Sequence, residues 1–302
     1  MKKKEDITLP TTKKAGFAIL IGRSNVGKST LLNTLVGTKI AATSFRAQMT
    51  RNIIHGVVNS PEGQVVFVDT PGIFKDKKDS LTAKLINRAK EAIQGVNVIV
   101  YVVDPTREIG DEERYTYGLI RHLDVPKILV INKSDLPVDE KRFQEDYERW
   151  SKDFDATLIL SALRASHIQP LREKVIELLP EGEPSYDGTQ ITNVDNYFWI
   201  AEIIREKIFS VFDKEVPYAI TVEVENVEEK PEDKARKQPE MFVITANILT
   251  DQLRYKKMII GREGSKIKEI GQLARRELEQ ALGKKVFLEL EVEVDVHWVE
   301  RI

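Results

Sequence analysis

Gly22-Arg-Ser-Asn-Val-Gly-Lys-Ser29 decides how the first half of this chain folds. Before it, Gly16-Phe-Ala-Ile-Leu-Ile-Gly22 reads as a short buried strand. After it, Lys28-Ser-Thr-Leu-Leu-Asn-Thr-Leu-Val36 reads as a helix with Leu31, Leu32 and Leu35 on one face. The stretch between fits G-x-x-x-x-G-K-[ST]. A glycine-bearing loop in that context turns its backbone N–H groups, and the positive end of a helix dipole, towards a bound phosphate. Gly22, Arg23, Ser24, Asn25, Val26, Gly27, Lys28, Ser29 and Thr30 form the expected cradle. Lys28 would reach the outer phosphates and the Ser29 hydroxyl their magnesium ion. A glycine-rich turn before an ordinary helix is the bland alternative, and the strand–loop–helix context argues against it. The pattern implies a nucleoside triphosphate site.

Outward from the loop, residues 16–180 alternate apolar, β-branched runs with helical patterns. The runs are Gln64–Asp69, Val96–Asp104, Lys127–Asn132 and Thr157–Leu160; the helical stretches are Leu81–Gln94, Asp111–His122, Asp139–Lys152 and Ile168–Leu179. This predicts an α/β domain with a mostly parallel sheet, helices on both faces, and a ligand at the carboxyl ends of the strands. The stretch from Pro180 to Gly188 breaks the pattern, so 181–197 reads as a linker. Over 198–302 the order becomes α-β-β-α-α-β, an α+β domain. Its elements are Phe198–Phe212, Tyr218–Val227, Met241–Thr250, Asp251–Ile260, Ser265–Leu282 and an alternating strand, Val286–Val296. Glu228–Glu240 is expected to be a mobile hairpin loop and residues 1–15 a disordered tail.

The 302 residues are 41% hydrophobic and 31% charged, with a net charge of −2, as in ordinary globular proteins. No run approaches the roughly 18 apolar residues of a membrane span, and the start lacks the apolar core of a signal peptide. With no cysteine there are no disulfides, thiolate zinc sites or cysteine nucleophiles, which fits a cytoplasmic protein. His55, His122, His167 and His297 show no ligand spacing.

Two further motifs choose the nucleotide. Asp69-Thr70-Pro71-Gly72 closes an apolar run, placing Asp69 to hold magnesium through water and the Gly72 N–H to sense a γ-phosphate. Asn132-Lys133-Ser134-Asp135 closes another; a carboxylate there accepts from the N1–H and exocyclic amine of guanine. Adenine offers no such pair, a mismatch costing on the order of 2–6 kcal/mol. Ser161-Ala162-Leu163 would pack its backbone against the base. These four motifs, in this order and spacing, resemble a Ras-type small GTPase domain over residues 16–180.

Gln48-Met-Thr50-Arg resembles the Q-x-T-R first switch of bacterial ribosome-assembly GTPases. That resemblance makes Thr50 the residue closing on magnesium and the γ-phosphate, with Thr43 a competing candidate on chemistry alone. Ile73 stands where Ras-like proteins carry a water-orienting glutamine, so intrinsic hydrolysis is expected to be slow. Asn25 matches an asparagine that relatives use to hold potassium beside the β/γ-phosphates, where a cation stabilises transition-state charge.

In the second domain, Gly261-Arg262-Glu263-Gly264 between two helices resembles the GXXG loop of KH domains, which clamps single-stranded RNA. The α-β-β-α-α-β order is that of type II KH domains. Residues 253–285 carry ten Lys/Arg against four Glu, a net of +6, whereas 286–302 carry five acidic residues and one basic. Such a basic segment is the footprint of a phosphate-backbone binder. Gly261, Arg262, Glu263, Gly264, Ser265, Lys266, Lys268 and Arg275 are the candidate RNA contacts. One GTPase domain followed by a type II KH domain resembles the Era family. Ala201–Lys207, Glu215–Tyr218, Lys266–Gly271 and Ala274-Arg275 also resemble that family's stretches at the same places. Two departures are Ser24, where a proline is common, and Glu263, a negative charge inside the GXXG loop.

The resemblance implies a switch. GTP with Mg2+ favours an RNA-binding state; hydrolysis, with K+ at Asn25 stabilising transition-state charge, ends it, and GDP releases the RNA. The implied partners are small-subunit ribosomal RNA near its 3′ end and the 30S subunit during assembly. A cytoplasmic monomer, with at most transient peripheral contact with the inner membrane, is expected. The rival is a GTP-regulated scaffold whose KH-like domain binds protein.

Overall fold

The computed structural model describes residues 13–44, 49–73, 80–232 and 239–301. The chain divides into two compact units, one comprising Met1–Lys39, Ile53–Lys77 and Leu85–Asn193, the other Ile40–Asn52, Lys78–Lys84 and Val194–Ile302.

In the first unit, strands β1 (Lys14–Ile21), β2 (Ile54–Ser60), β3 (Gly63–Asp69), β4 (Val98–Val103), β5 (Lys127–Ile131) and β6 (Ala156–Ile159) form one sheet ordered β2-β3-β1-β4-β5-β6. Helices α1 (Lys28–Val36), α2 (Ser80–Ala92, which joins the unit from Leu85 on), α3 (Asp111–Ile120), α4 (Gln144–Glu148) and α5 (Ile168–Leu178) punctuate the strands. Every strand pair is parallel except β2–β3. β3 and β4 are buried along their whole length, as apolar runs covered on both faces must be. Asp69, Asp104, Asn132 and Ser161 therefore fall at or just past the carboxyl ends of β3, β4, β5 and β6, on one rim.

Four expectations need correction. Lys14 and Ala15 open β1 instead of ending a disordered tail; residues 1–12 of that tail lie outside the described residues. β2 was not anticipated, because Gly56 and the polar Asn59-Ser60 interrupt its apolar pattern. The helix expected over Asp139–Lys152 shrinks to α4 and a 3-10 turn at Arg149–Asp153. Here Phe143 donates its N–H to the Pro105 carbonyl (3.0 Å), a tertiary bond that replaces a helical one. The expected linker 181–197 is mostly a cover for the sheet: Gly182 N–H donates to Lys13 O (3.0 Å), and Val57 N–H to Ile191 O (2.9 Å). Gln64 exchanges two 2.9 Å bonds with the Tyr186 backbone. β2 is an edge strand, and its open N–H and C=O groups make such a cover favourable.

In the second unit, α6 (Asn196–Val211), β7 (Ile220–Lys230), β8 (Met241–Thr250), α7 (Leu253–Ile260), α8 (Ser265–Leu282) and β9 (Lys285–Val294) follow the expected order. Asp195 caps α6, accepting from Phe198 N–H at 2.7 Å. β7–β8 is antiparallel and β8–β9 parallel. The helices close an apolar core of Ile204, Ile208, Ile244, Ile248, Ile259 and Leu278. Glu228–Lys230, expected to open a mobile loop, instead extend β7 and pair with Met241–Val243, and residues 233–238 of that loop lie outside the described residues.

Candidate nucleotide site and nucleic-acid interface

The phosphate loop joins β1 to α1. Gly27 ends it with φ 101°, and a Cβ there would lie 2.3 Å from Asn132 Nδ2, so the loop cannot close with a larger residue. Asn25 also takes a left-handed conformation (φ 62°), which a non-glycine residue adopts reluctantly. Lys28 is 6% exposed and donates to the Gly22 and Arg23 carbonyls (3.0 and 2.8 Å). Burial pulls its ammonium pKa down to about 8, opposed by the charges of Asp69 and Glu113. A bound triphosphate would supply the missing counter-charge.

Ser29 Oγ donates to Asp69 Oδ2 at 2.5 Å, joining the first turn of α1 to the end of β3. A hydroxyl beside a carboxylate is a hard-oxygen donor set that fits Mg2+. Thr70 is buried, its hydroxyl donating to Leu20 O (3.0 Å), so that side chain holds the strand end in place. Pro71 and Gly72 are buried as well. Ile73 pairs through its backbone with Arg23, and its side chain sits in the core with Ile19, Ile21 and Ile99. It therefore belongs to the packing of the domain.

Asn132 connects three loops. Its Nδ2 donates to Val26 O (2.8 Å) in the phosphate loop, and its Oδ1 accepts from Ala162 N–H (2.9 Å) after β6. Lys133, also left-handed (φ 62°), pairs with Asp104 at 2.5 Å. Asp135 accepts from Ser161 Oγ at 2.5 Å, and that hydroxyl accepts from Arg164 N–H (3.0 Å). Ser161 and Ala162 are buried and Leu163 is exposed. Ser134 N–H donates to Leu160 O (3.1 Å), and Thr30 O accepts from Thr34 Oγ1 (2.9 Å). The bonds Ser29–Asp69, Asn132–Val26, Ala162–Asn132 and Ser161–Asp135 thus tie the phosphate-loop, D-T-P-G, N-K-S-D and S-A-L stretches to one another in the first unit.

Sequence reading missed Asp104 and Glu113. Asp104 ends β4 as Asp69 ends β3, a parallel that carried the signal. Glu113 had none: its neighbours Asp111 and Glu112 make the trio look like dipole-favoured surface charges.

Thr50 lies in Ile40–Asn52, which packs as part of the second unit, although sequence reading placed it within 16–180. There the Arg205 guanidinium donates to the Met49 carbonyl, and Arg51 donates to Ile220 O (2.7 Å) and Pro217 O (3.2 Å). Thr43 N–H donates to Glu206 (2.9 Å). Gln48, the first residue of the switch motif, lies outside the described residues.

The second loop separates α7 from α8. Gly261 has φ 73°, and a Cβ there would meet the Lys266 backbone N at 2.9 Å. Arg262 and Glu263 project into solvent, with side chains 94% and 88% exposed, and lie 3.9 Å apart. Gly264 (φ 74°) precedes Ser265, the first residue of α8, and Lys266 pairs with Glu269 at 2.8 Å. Lys268 and Arg275, with Ile267, Gly271, Gln272, Phe287, Leu288 and Leu290, line a groove of about 360 Å³. Its lining combines two cations, Lys268 and Arg275, with the apolar Ile267, Phe287, Leu288 and Leu290, which suits a charged backbone carrying flat bases.

Family comparisons agree with both halves. Residues 17–133 match a 50S ribosome-binding GTPase family and residues 215–299 a KH domain family. GTPase Era from Thermoanaerobacter sp. (strain X514) is 42% identical over 287 residues, covering 94% of this chain and 92% of its own. GTPase Era from Halothermothrix orenii is 38% identical, with 95% of each chain covered. Among solved structures, Era in complex with MgGDPNP and nucleotides 1506–1542 of 16S ribosomal RNA superposes with a TM-score of 0.86 at 36% identity, covering 96% of both chains. Aquifex aeolicus Era bound to GDP·AlF4− gives 0.85 at 36% identity, covering 95% of this chain and 96% of that one. With a Ras-like P-loop GTPase domain joined to a C-terminal KH domain, the chain belongs to the Era family of GTPases.

Proposed function

We propose that this GTP-hydrolysing protein is a switch: GTP controls the binding of small-subunit ribosomal RNA, near its 3′ end, to the KH domain, in the service of 30S assembly. The observation that carries this is the likeness over 96% of both chains to Era bound to MgGDPNP and nucleotides 1506–1542 of 16S ribosomal RNA. The exposed loop at Gly261–Gly264, beside a basic groove, supplies matching chemistry here.

Mg2+ supplies charge neutralisation at the β/γ-phosphates. Ser29 and, through water, Asp69 would hold it, joined by Thr50 in the GTP state. Lys28 binds the outer phosphates, backbone N–H groups from Arg23 to Thr30 line the cradle, and Gly72 N–H senses the γ-phosphate. Asp135 selects guanine, steadied by Ser161, while Asn132 fixes the loops that hold the base. Gly261, Arg262, Gly264, Ser265, Lys266, Lys268 and Arg275 meet the RNA backbone. With Ile73 in the core, no side chain at that position orients water, and a K+ ion held at Asn25 would supply stabilisation of the negative charge that develops in the transition state. Steady-state hydrolysis should be several-fold faster in potassium than in sodium, and Asn25→Asp should flatten the difference. Equal rates in the native protein would remove potassium from the mechanism. The protein is proposed to act as a cytoplasmic monomer with transient peripheral membrane contact.

Filter binding of single-stranded 16S ribosomal RNA across a salt series tests the switch. Direct phosphate contact predicts a steep fall in affinity with salt, and tighter binding with a GTP analogue than with GDP. A flat salt response would favour the protein-binding scaffold instead.

A further inference from the structure

Behind the phosphate loop lies a buried charged network that nucleotide chemistry leaves without a task. The Arg23 side chain turns away from the cradle. Its Nε donates to Glu112 Oε2 (3.1 Å), and its NH1 donates to Glu113 Oε2 (3.2 Å) and to the Glu108 carbonyl (3.0 Å). Arg23 is 7% exposed and Glu113 1%. Glu113 also accepts from the Tyr101 and Tyr147 hydroxyls, the latter at 3.0 Å. Burial pushes the Glu113 carboxyl pKa upward, and the two hydroxyls and Arg23 oppose that rise.

The backbone of the same arginine works in the opposite direction. Its carbonyl accepts from Lys28 Nζ (2.8 Å), and it bridges to Ile73 in the D-T-P-G loop. The next carbonyl, of Ser24, accepts from Arg107 (2.9 Å), and the Arg107 carbonyl lies 3.1 Å from the Tyr147 hydroxyl, whose single proton is shared between it and Glu113. Two consecutive loop residues are therefore tied to one buried cluster. The residue after them, Asn25, has the left-handed backbone that isolated chains avoid.

We propose that Arg23 and Glu113 are a buried positioning pair that holds the phosphate loop in its phosphate-binding shape before nucleotide arrives. This rests on reading Gly22–Ser29 as the nucleotide loop. The Arg23 side chain acts by fixing the loop backbone and does not itself touch the nucleotide, so its loss affects GTP and GDP alike. Removing Arg23 leaves the buried Glu113 carboxylate with only two neutral hydroxyls, whereas removing Glu113 still leaves Arg23 its pair with Glu112 and so costs less. Removing both leaves no buried charge unpaired.

The test measures affinity of the full chain for fluorescent GDP and a non-hydrolysable GTP analogue, at a temperature well below each variant's melting point. Arg23→Met should weaken both nucleotides about tenfold, and Arg23→Lys less, because loop misplacement removes several backbone donors at once. Glu113→Gln should weaken both about threefold, and the double variant should recover much of the Arg23→Met loss, the coupling expected of a contacting pair. Native affinities with only a lowered melting point would overturn the proposal, since the pair would then be merely structural. Loss confined to the GTP analogue would also overturn it, because Arg23 would then touch the γ-phosphate. Should Arg23→Met fail to fold, Glu113→Gln decides alone by the same criterion. Lys28→Ala is the separate control: nucleotide binding as in the native protein would refute the nucleotide-loop reading itself.

Discussion

The two glycine loops present cations to phosphate in opposite ways. Gly22–Ser29 is enclosed: Lys28 is 6% exposed and bonded to two carbonyls of its own loop, and Asn132 seals the end near Gly27. Gly261–Gly264 is open, with Arg262 and Glu263 almost wholly in solvent and paired only loosely at 3.9 Å. An enclosed loop of this kind offers phosphate N–H groups held in place by its own bonds, so its energetics depend on geometry. The open loop relies on charge density across α7 and α8, so its energetics depend on salt. A domain that must tell one small molecule from its near-copies needs the first design. A domain that must grip a long, flexible polyanion can use the second.

Three substitutions would break or sharpen this contrast. The largest effect is expected from Asp135→Asn: replacing the carboxylate by an amide should lower GTP affinity on the order of 100-fold or more and favour xanthosine triphosphate, because that site reads donors by fixed geometry. Equilibrium competition between the two nucleotides measures it. Next, Gly261→Ala should weaken RNA binding about tenfold, since the added Cβ meets the Lys266 backbone at 2.9 Å where φ is 73°. Nucleotide affinity serves as the control, and a circular dichroism melt shows whether the domain still folds. The smallest effect belongs to Glu263→Lys, which should tighten RNA binding about threefold at low salt and hardly at all at high salt. Unchanged affinity at low salt would mean that this side chain faces away from the RNA.

Motif chemistry was legible from the start because it is local. The phosphate loop, Asp69–Gly72, Asn132–Asp135 and the second glycine loop each declare themselves within eight residues, and alternating apolar runs place them at strand ends. Non-local features were harder to read. β2 hid behind Gly56 and Asn59-Ser60, since an edge strand needs fewer apolar residues than a central one. Residues 181–193 looked like a linker because their proline, glycine and acidic composition gives no hint that β2 needs a cover. The helix over Asp139–Lys152 failed because Phe143 found a better partner in Pro105.

The nucleotide, the family and the two-domain order are legible in short motifs, because their chemistry requires those residue types at those spacings. The parts played by Arg23, Asp104, Glu113 and Ile73 emerge from folding alone. Arg23 and Glu113 are ninety positions apart, and no periodicity reports that one buried carboxylate, two tyrosine hydroxyls and a loop arginine share a site. Burial and pairing depend on which surfaces the folded chain brings together, and for buried charges that decides whether a residue touches the ligand or supports the loop that does.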